Sequence, residues 1–198
     1  NDGMGTMATF DGLKVMWQIG DVIYVNGMGN AFTCTTDPAG TNRAYFENTN
    51  QFPDGFQATQ YHAFYSTTIS YMSLVEEEDP TKGVTGVLSA TQYYNPERQA
   101  ENLPMYATST DHWLNFSNIC AAIKIYVPCT ADHIVISNTS KPMNGGFTVQ
   151  SNVAVMDRAE AGVNLNSDEK KITIYKGTQG HTEAFHACDS LFIAIPAG

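Results

Sequence analysis

The chain has 198 residues, of which 42% are hydrophobic, 11% aromatic and only 15% charged. A chain of this length buries a core without disulfide or metal support, and this composition excludes intrinsic disorder and a coiled coil. Its 20 acidic and 10 basic residues give a formal charge of -10, which argues against nucleic acid or an anionic membrane surface as a partner. Because the sequence begins at Asn1 without a basic, apolar leader, we expect a processed form or an excised segment.

Short apolar segments with a period of two, separated by Gly, Pro, Asn and Thr, predict an all-β fold. Eleven strands are expected, in chain order, at residues 12–18, 21–26, 31–35, 44–46, 61–65, 87–92, 119–127, 133–137, 147–156, 171–176 and 190–196. Many short strands with short connections favour a sandwich of two antiparallel sheets.

The clearest period-two pattern lies in residues 119–127, whose odd-numbered positions are all apolar and are expected to share one face of a strand. Ile134 and Ile136 continue an apolar face after a short polar connection. We therefore predict that these two segments form a hairpin packed on a core, with Ile123 buried and Lys124 on the solvent face.

Helix signals are scarce in this sequence. Asn95 and Pro96 suit the start of a helix and predict a short one over residues 97–101. Residues 71–85 contain the acidic run 76–79 and are predicted to form a long exposed loop. This acidic run lacks the alternating pattern of a calcium-binding loop, so we interpret it as solvated.

A search for reactive motifs predicts neither a catalytic residue, nor a cofactor site, nor a metal site. The GxGxxA pattern of residues 3–8 follows no predicted strand, and the chain has neither a phosphate-binding loop nor a nucleophile elbow. Catalytic carboxylates of a glycoside hydrolase can come from distant strands, but no pair here is favoured. We therefore predict that the chain is not an enzyme.

The histidines and cysteines are the candidate ligands for a metal ion, but their settings argue against such a site. The histidines are expected at the surface or at sheet edges, and they are His62, His112, His133, His181 and His186. The cysteines are too widely spaced for a zinc site and are expected as buried free thiols, with three disulfide pairings as the alternative; they are Cys34, Cys120, Cys129 and Cys188.

Several aromatic residues lie near predicted loops rather than at alternating core positions. Tyr93, Tyr94 and Trp113 either close the open ends of the sandwich or stack on sugar rings. The second interpretation makes the chain a secreted carbohydrate-binding β-sandwich module, and we keep it as the alternative function.

Six separated segments carry a further pattern. It comprises a Trp strand with a Gly-Asp turn, an aromatic-Ala-aromatic strand, a Gln followed by Leu-Pro-Met-Tyr-Ala, a Phe-rich entry into an apolar strand, a Gly-Gly-Phe return and a final aliphatic strand. These segments are residues 14–25, 61–65, 92 with 103–107, 114–125, 145–147 and 191–198. Taken in order, they resemble the fimbrillin family of Bacteroidetes, the subunits and tip proteins of type V pili and their Mfa-like relatives. Ser66 stands where the family usually has Pro.

The resemblance implies a transthyretin-like Greek-key β-sandwich. Residues 1–156 would form a fimbrillin-like N-terminal domain, and residues 157–198 would complete the sandwich or begin a C-terminal β domain. It also implies export to the outer membrane or fimbrium, with a lipid anchor outside this sequence as the sole membrane contact.

The resemblance further implies a structural or adhesive role in surface fimbriae. Its partners would be other fimbrial subunits, joined by strand exchange, and a surface protein or glycan of a host or a bacterium. In such exchange, a donated strand fills an uncovered sheet edge and an empty apolar stripe.

Overall fold

The computed structural model describes residues 9–11, 14–36, 42–48, 58–65, 67–77, 79–96, 102–150, 153–156 and 168–196. In these ranges the chain forms eighteen strands and one 3₁₀ turn, and it forms no α-helix. The prediction of an all-β fold is confirmed.

The strands are short, as the frequent turn residues predict. They are β1 Thr9–Asp11, β2 Lys14–Met16, β3 Val22–Val25, β4 Ala31–Cys34, β5 Phe46–Glu47, β6 Tyr61–Tyr65, β7 Ile69–Leu74, β8 Val84–Leu88, β9 Thr91–Tyr94, β10 Met105–Ser109, β11 Ser117–Asn118, β12 Ala121–Tyr126, β13 Ile134–Ser137, β14 Gly145–Gln150, β15 Val153–Met156, β16 Lys171–Thr178, β17 His181–Glu183 and β18 Ser190–Ile195. The 3₁₀ turn, Pro80–Lys82, is capped by the Asp79 side chain.

These strands pair into four sheets and a separate β1·β2 hairpin. The first sheet has the order β11-β10-β6-β3-β4-β5, and the second has the order β15-β14-β8-β7. In the third sheet, β16 is bonded to β13, β17 and β9, while the fourth sheet contains β12 and β18 alone. Every pair is antiparallel except β9 with β16, so the arrangement is consistent with a β-sandwich.

The first core lies between the first and second sheets. Phe64 and Tyr106 from the first sheet pack with Met72, Leu88 and Phe147 from the second. A side chain at Gly86 would meet the Phe147 ring at 2.6 Å, so glycine is required there for the ring to pack against β8.

The opposite face of the first sheet is also covered. The Trp17 ring makes edge contacts with Phe46, Tyr65 and Phe116 at centroid distances of 5.1 to 5.2 Å. All five residues of β6 are therefore buried, because both faces of the sheet carry apolar layers.

The second core lies between the third and fourth sheets. Its buried members are Tyr94, Val127, Met143, Ile172, Ile174, Phe185, Leu191 and Ile193. Four further isoleucines pack against it and remain partly accessible; they are Ile125, Ile134, Ile136 and Ile195.

The predicted hairpin is wrong. β12 pairs with β18, and β13 pairs with β16, because the connection between β12 and β13 crosses from one sheet to the other. Ile123 is also not buried, with an exposed fraction of 37%. The period-two pattern located both strands, but their partners are distant in the sequence.

Other predicted elements also change. Residues 71–85 are not a single loop, since they contain most of β7 and the start of β8. A register shift between Ile69 and Tyr71 interrupts the alternation of β7, which explains the missed strand. The predicted strand at 87–92 is the junction of β8 and β9, and the one at 147–156 is the β14·β15 hairpin.

Strands on either side of residue 156 share the third and fourth sheets. β16 pairs with β9 and β13, and β18 pairs with β12. The division of the chain into domains stays a prediction. The GxGxxA pattern and the helix predicted over 97–101 lie outside the described residues.

Candidate functional site

The three aromatic residues proposed for sugar stacking occupy different settings. Tyr94 is buried in the second core, where its hydroxyl donates to the Ser190 carbonyl at 2.9 Å. Tyr93 lies on the other face of β9 and stacks on Tyr175 at 6.0 Å. Trp113 is 69% exposed in the loop after β10. Tyr94 therefore offers no ring face to a ligand in this structure.

The expectation that all histidines lie at the surface or at edges is wrong for His62. This residue is 2% exposed on β6, in the middle of the first sheet. The other four histidines are exposed. Across the ranges that the structure describes, no group of three or more His, Cys, Asp and Glu side chains is placed to hold a metal ion.

Both ring nitrogens of His62 have partners. Nε2 lies 2.6 Å from the Pro80 carbonyl, which can only accept, so Nε2 carries a proton and donates. Nδ1 then accepts from the Tyr106 hydroxyl at 2.6 Å. Burial lowers the pKa of His62, and burial raises the pKa of Tyr106. The neutral imidazole thus fastens the 3₁₀ turn to the first sheet, and it faces no substrate cleft.

All four cysteines were expected to be buried free thiols, and only Cys34 is both free and buried. Cys34 is buried, Cys120 is intermediate, and Cys129 and Cys188 are exposed; all four are free thiols. Burial raises the pKa of Cys120 to about 12, so this thiol is protonated and unreactive at neutral pH.

Two acidic residues, Asp189 and Asp111, perform local structural roles. Asp189 accepts from the His186 backbone N–H and from the Lys176 ammonium, both at 2.9 Å, and these bonds lower its pKa. Asp111 accepts from Ser109 and from the Trp113 N–H, and its pKa is lowered for the same reason. These carboxylates shape turns rather than converging on a reactive centre.

A different kind of site lies at the border of the third and fourth sheets. Ile174 pairs with Ile134 of β13 and with Gln92 of β9, so β13 and β9 flank β16 on opposite sides. The Tyr94 hydroxyl of β9 reaches the outer edge of β18 at Ser190. This bond places β18 on the β9 side of the fourth sheet. Its partner β12 therefore has its outer edge on the β13 side.

The main chain of β12 presents hydrogen-bonding groups at this border. The Val127 N–H donates to the Asp189 carbonyl at 2.8 Å, which sets the alternation of the β12·β18 ladder. By that alternation, the N–H and C=O groups of Ala122, Lys124 and Tyr126 point away from β18. Within the described part of the chain, no strand pairs with this edge.

Apolar side chains line the same border. Ile125 of β12 and Ile134 and Ile136 of β13 pack against the second core and remain partly accessible. Ile123 lies on the same face of β12 as Ile125 and is 37% exposed. We call these four isoleucines, with the outer edge of β12, the open border. Sequence reasoning missed it because the alternation of apolar residues identifies a strand but does not tell an edge strand from a covered one.

The second core also contains a buried amide side chain. Gln92 shares a face of β9 with Tyr94, and among the described residues neither its amide oxygen nor its nitrogen has a hydrogen-bond partner. Burying an amide without partners costs free energy, so Gln92 is a site where an apolar side chain is expected to be more stable.

Comparison with protein-family models, with curated proteins and with solved structures finds no match to this chain. Among the described residues, no helix has the length and apolar character needed to span a membrane.

Proposed function

We propose that the chain is a structural or adhesive subunit of bacterial surface fimbriae that receives a β-strand from another subunit. The observation that carries the proposal is the open border, where an unpaired strand edge adjoins a partly exposed apolar stripe. The finer fold we propose is the transthyretin-like Greek-key sandwich, in keeping with the antiparallel sheets. No catalytic role is assigned.

A donated strand would satisfy both features of the open border. Its main chain would pair with the outward N–H and C=O groups of Ala122, Lys124 and Tyr126. Its alternate side chains would cover Ile123 and Ile134, removing their apolar surface from water. Main-chain bonds would provide affinity, and the fit of the alternate side chains would provide specificity.

Other features of the chain agree with this function. An exposed apolar edge strand is an association hazard that soluble proteins normally limit with charged side chains, a bulge, a proline or a covering loop. β12 is regular in its pairing with β18, and Lys124 is its single charged residue. The proposed location is the cell surface, with membrane attachment through a lipid anchor outside this sequence.

The test uses substitutions at one outward-facing position of β12. Lys124→Pro removes the outward N–H and adds a ring at the edge, while the inward bonds to β18 remain. Lys124→Ala is the matched control, because it removes the same side chain and keeps the N–H. Both proteins should fold, as checked by circular dichroism.

Two readouts follow strand addition. The first is the formation of polymers, seen as ladders on unboiled gels, before and after limited trypsin cleavage. The second is capture of a biotinylated peptide with the sequence of residues 190–196, in which Leu191, Ile193 and Ile195 share one face of an extended strand. We expect the native chain and Lys124→Ala to polymerise or capture the peptide, and Lys124→Pro to do neither. A folded native chain that does neither, or equal behaviour of the two variants, would contradict the proposal.

A further inference from the structure

A concave site lies far from the open border in the fold, on the first and second sheets. It is formed by the turn between β3 and β4, residues 26–30, together with the edge strand β7 and Glu77. Its volume is about 480 Å³, within the range of small-ligand sites and sufficient for one or two sugar rings.

The turn that forms one wall is held in a fixed shape. Asn26 and Gly27 adopt left-handed backbone angles, with φ of 52° and 134°. The Asn26 side chain accepts from the His62 N–H at 2.7 Å and donates to the Gln60 carbonyl at 3.0 Å. Its own N–H donates to the His62 carbonyl at 2.8 Å. A ligand would therefore meet a preorganised wall and would not have to order it.

The floor and one side of the cavity are apolar. Met72 is buried in the first core, and Met28 and Leu74 pack against it. The Tyr71 ring lines the cavity and is 53% exposed. A large aromatic side chain beside a concave surface provides a stacking face without loss of core packing.

Unused polar groups surround this apolar surface. Ser73, Asn30 and Glu77 line the cavity, and their side chains make no hydrogen bond with the described residues. The Val75 N–H bonds to the Gly83 carbonyl, so the ladder alternation turns the main-chain groups of Leu74, like those of Met72, away from β8.

We infer that this cavity binds a neutral hexose, either free or as the terminal ring of a glycan. The Tyr71 ring would pack on the C–H face of the pyranose, and Asn30 and Glu77 would bond adjacent hydroxyl groups. The chain has a formal charge of -10, and Glu77 itself is acidic, so an acidic sugar would be repelled. Met72 and Leu74 are the residues of β7 in the cavity whose main-chain groups point away from β8. Two such residues are too few to pair with an added strand.

The experiment is saturation-transfer NMR on the full chain with a panel of probes. The panel contains glucose, galactose, mannose, N-acetylglucosamine and fucose, with glucuronate as the acidic control. We expect saturable binding of at least one neutral sugar and none of glucuronate. No saturable binding of any neutral sugar by the folded chain, or equal binding of glucuronate, would overturn the inference.

Two matched pairs of variants locate the site. Tyr71→Ala should weaken binding at least tenfold, whereas Tyr45→Ala, at a tyrosine that is 74% exposed and outside the cavity, should leave it unchanged. Glu77→Gln should weaken binding at least fivefold, whereas Glu76→Gln should not. Equal effects within either pair would place the sugar elsewhere and overturn the inference. Strand capture does not enter this experiment, so its outcome is independent of the proposed function.

Discussion

The two cores of the chain are closed to different degrees. The first sheet has six strands and apolar layers on both faces, so β6 is buried along its whole length. The fourth sheet places just two strands over the four of the third, and its strand β12 has five exposed residues of six. The first sheet is therefore covered on both faces, whereas the second core leaves most of β12 accessible.

The first core gives the largest expected effect. Phe64 is almost fully buried, and the centroid of its ring lies 5.0 Å from that of Tyr106 and 6.3 Å from that of Phe147. Phe64→Ala should lower the free energy of unfolding by about 3–5 kcal/mol, because it leaves a cavity between two sheets. Urea unfolding followed by circular dichroism measures this loss. Tyr45→Ala, at an exposed position, should change stability by less than about 0.5 kcal/mol; equal losses would contradict the described core.

The contrast becomes sharper within one cross-strand pair. Ile193 and Ile123 lie opposite each other in the β12·β18 ladder, but their exposed fractions are 0% and 37%. Ile193→Ala should cost about 2–4 kcal/mol, and Ile123→Ala less than about 1 kcal/mol, in the same urea assay. If Ile123→Ala lowers the free energy of unfolding as much as Ile193→Ala does, then the open border is covered in the isolated chain.

This pair also marks how far the sequence predicts the fold. Alternation of β-branched and polar residues located β12, β13 and β16, because that signal is local. The choice of partner is not local: the apolar face of β13 suits a hairpin with β12 as well as it suits pairing with β16. Strand existence was therefore predictable, and strand order was not.

The candidate sites show the same limit. Trp113 was placed near a loop by its sequence setting, and in the structure it lies in a loop with 69% of its surface exposed. Tyr93 and Tyr94 are adjacent aromatic residues, so the sequence does not tell which of the two side chains faces the core. In the structure Tyr94 pairs with Lys176, two residues after Ile174, so the Tyr94 side chain lies on the same face of the sheet as the buried Ile174. The cavity beside Tyr71 went unpredicted because β7 itself was not recognised.

His62 links stability of the first core to pH. In the folded chain, burial lowers its pKa below 6.5, so the unfolded chain binds more protons as the pH falls below that value. Stability should therefore decrease from pH 7 towards pH 5.5, before most carboxylates titrate. His62→Gln should cost about 1–3 kcal/mol at pH 7, because the Pro80 carbonyl and Tyr106 hydroxyl lose their partner.

The pH series distinguishes this contribution from a general effect of acid. Thermal melts of the native chain and of His62→Gln are compared at each pH. The variant should lose the part of the pH dependence that His62 provides, and His133→Gln, at an exposed histidine, should retain it. Parallel curves for the native chain and His62→Gln would show that this imidazole does not couple folding to pH.

The smallest expected effect has the opposite sign and lies in the second core. Gln92 is buried beside Ile174, and its amide atoms find no partner among the residues that the structure describes, so its replacement by an apolar residue of similar volume removes a desolvation cost. Gln92→Leu should raise the free energy of unfolding by about 1 kcal/mol in the urea assay. Gln60→Leu is the control, because the Gln60 amide donates to the Thr108 hydroxyl at 3.0 Å and gains nothing by removal. A loss of stability in Gln92→Leu would mean that the amide has a partner in solution, and that the second core is less open than its border indicates.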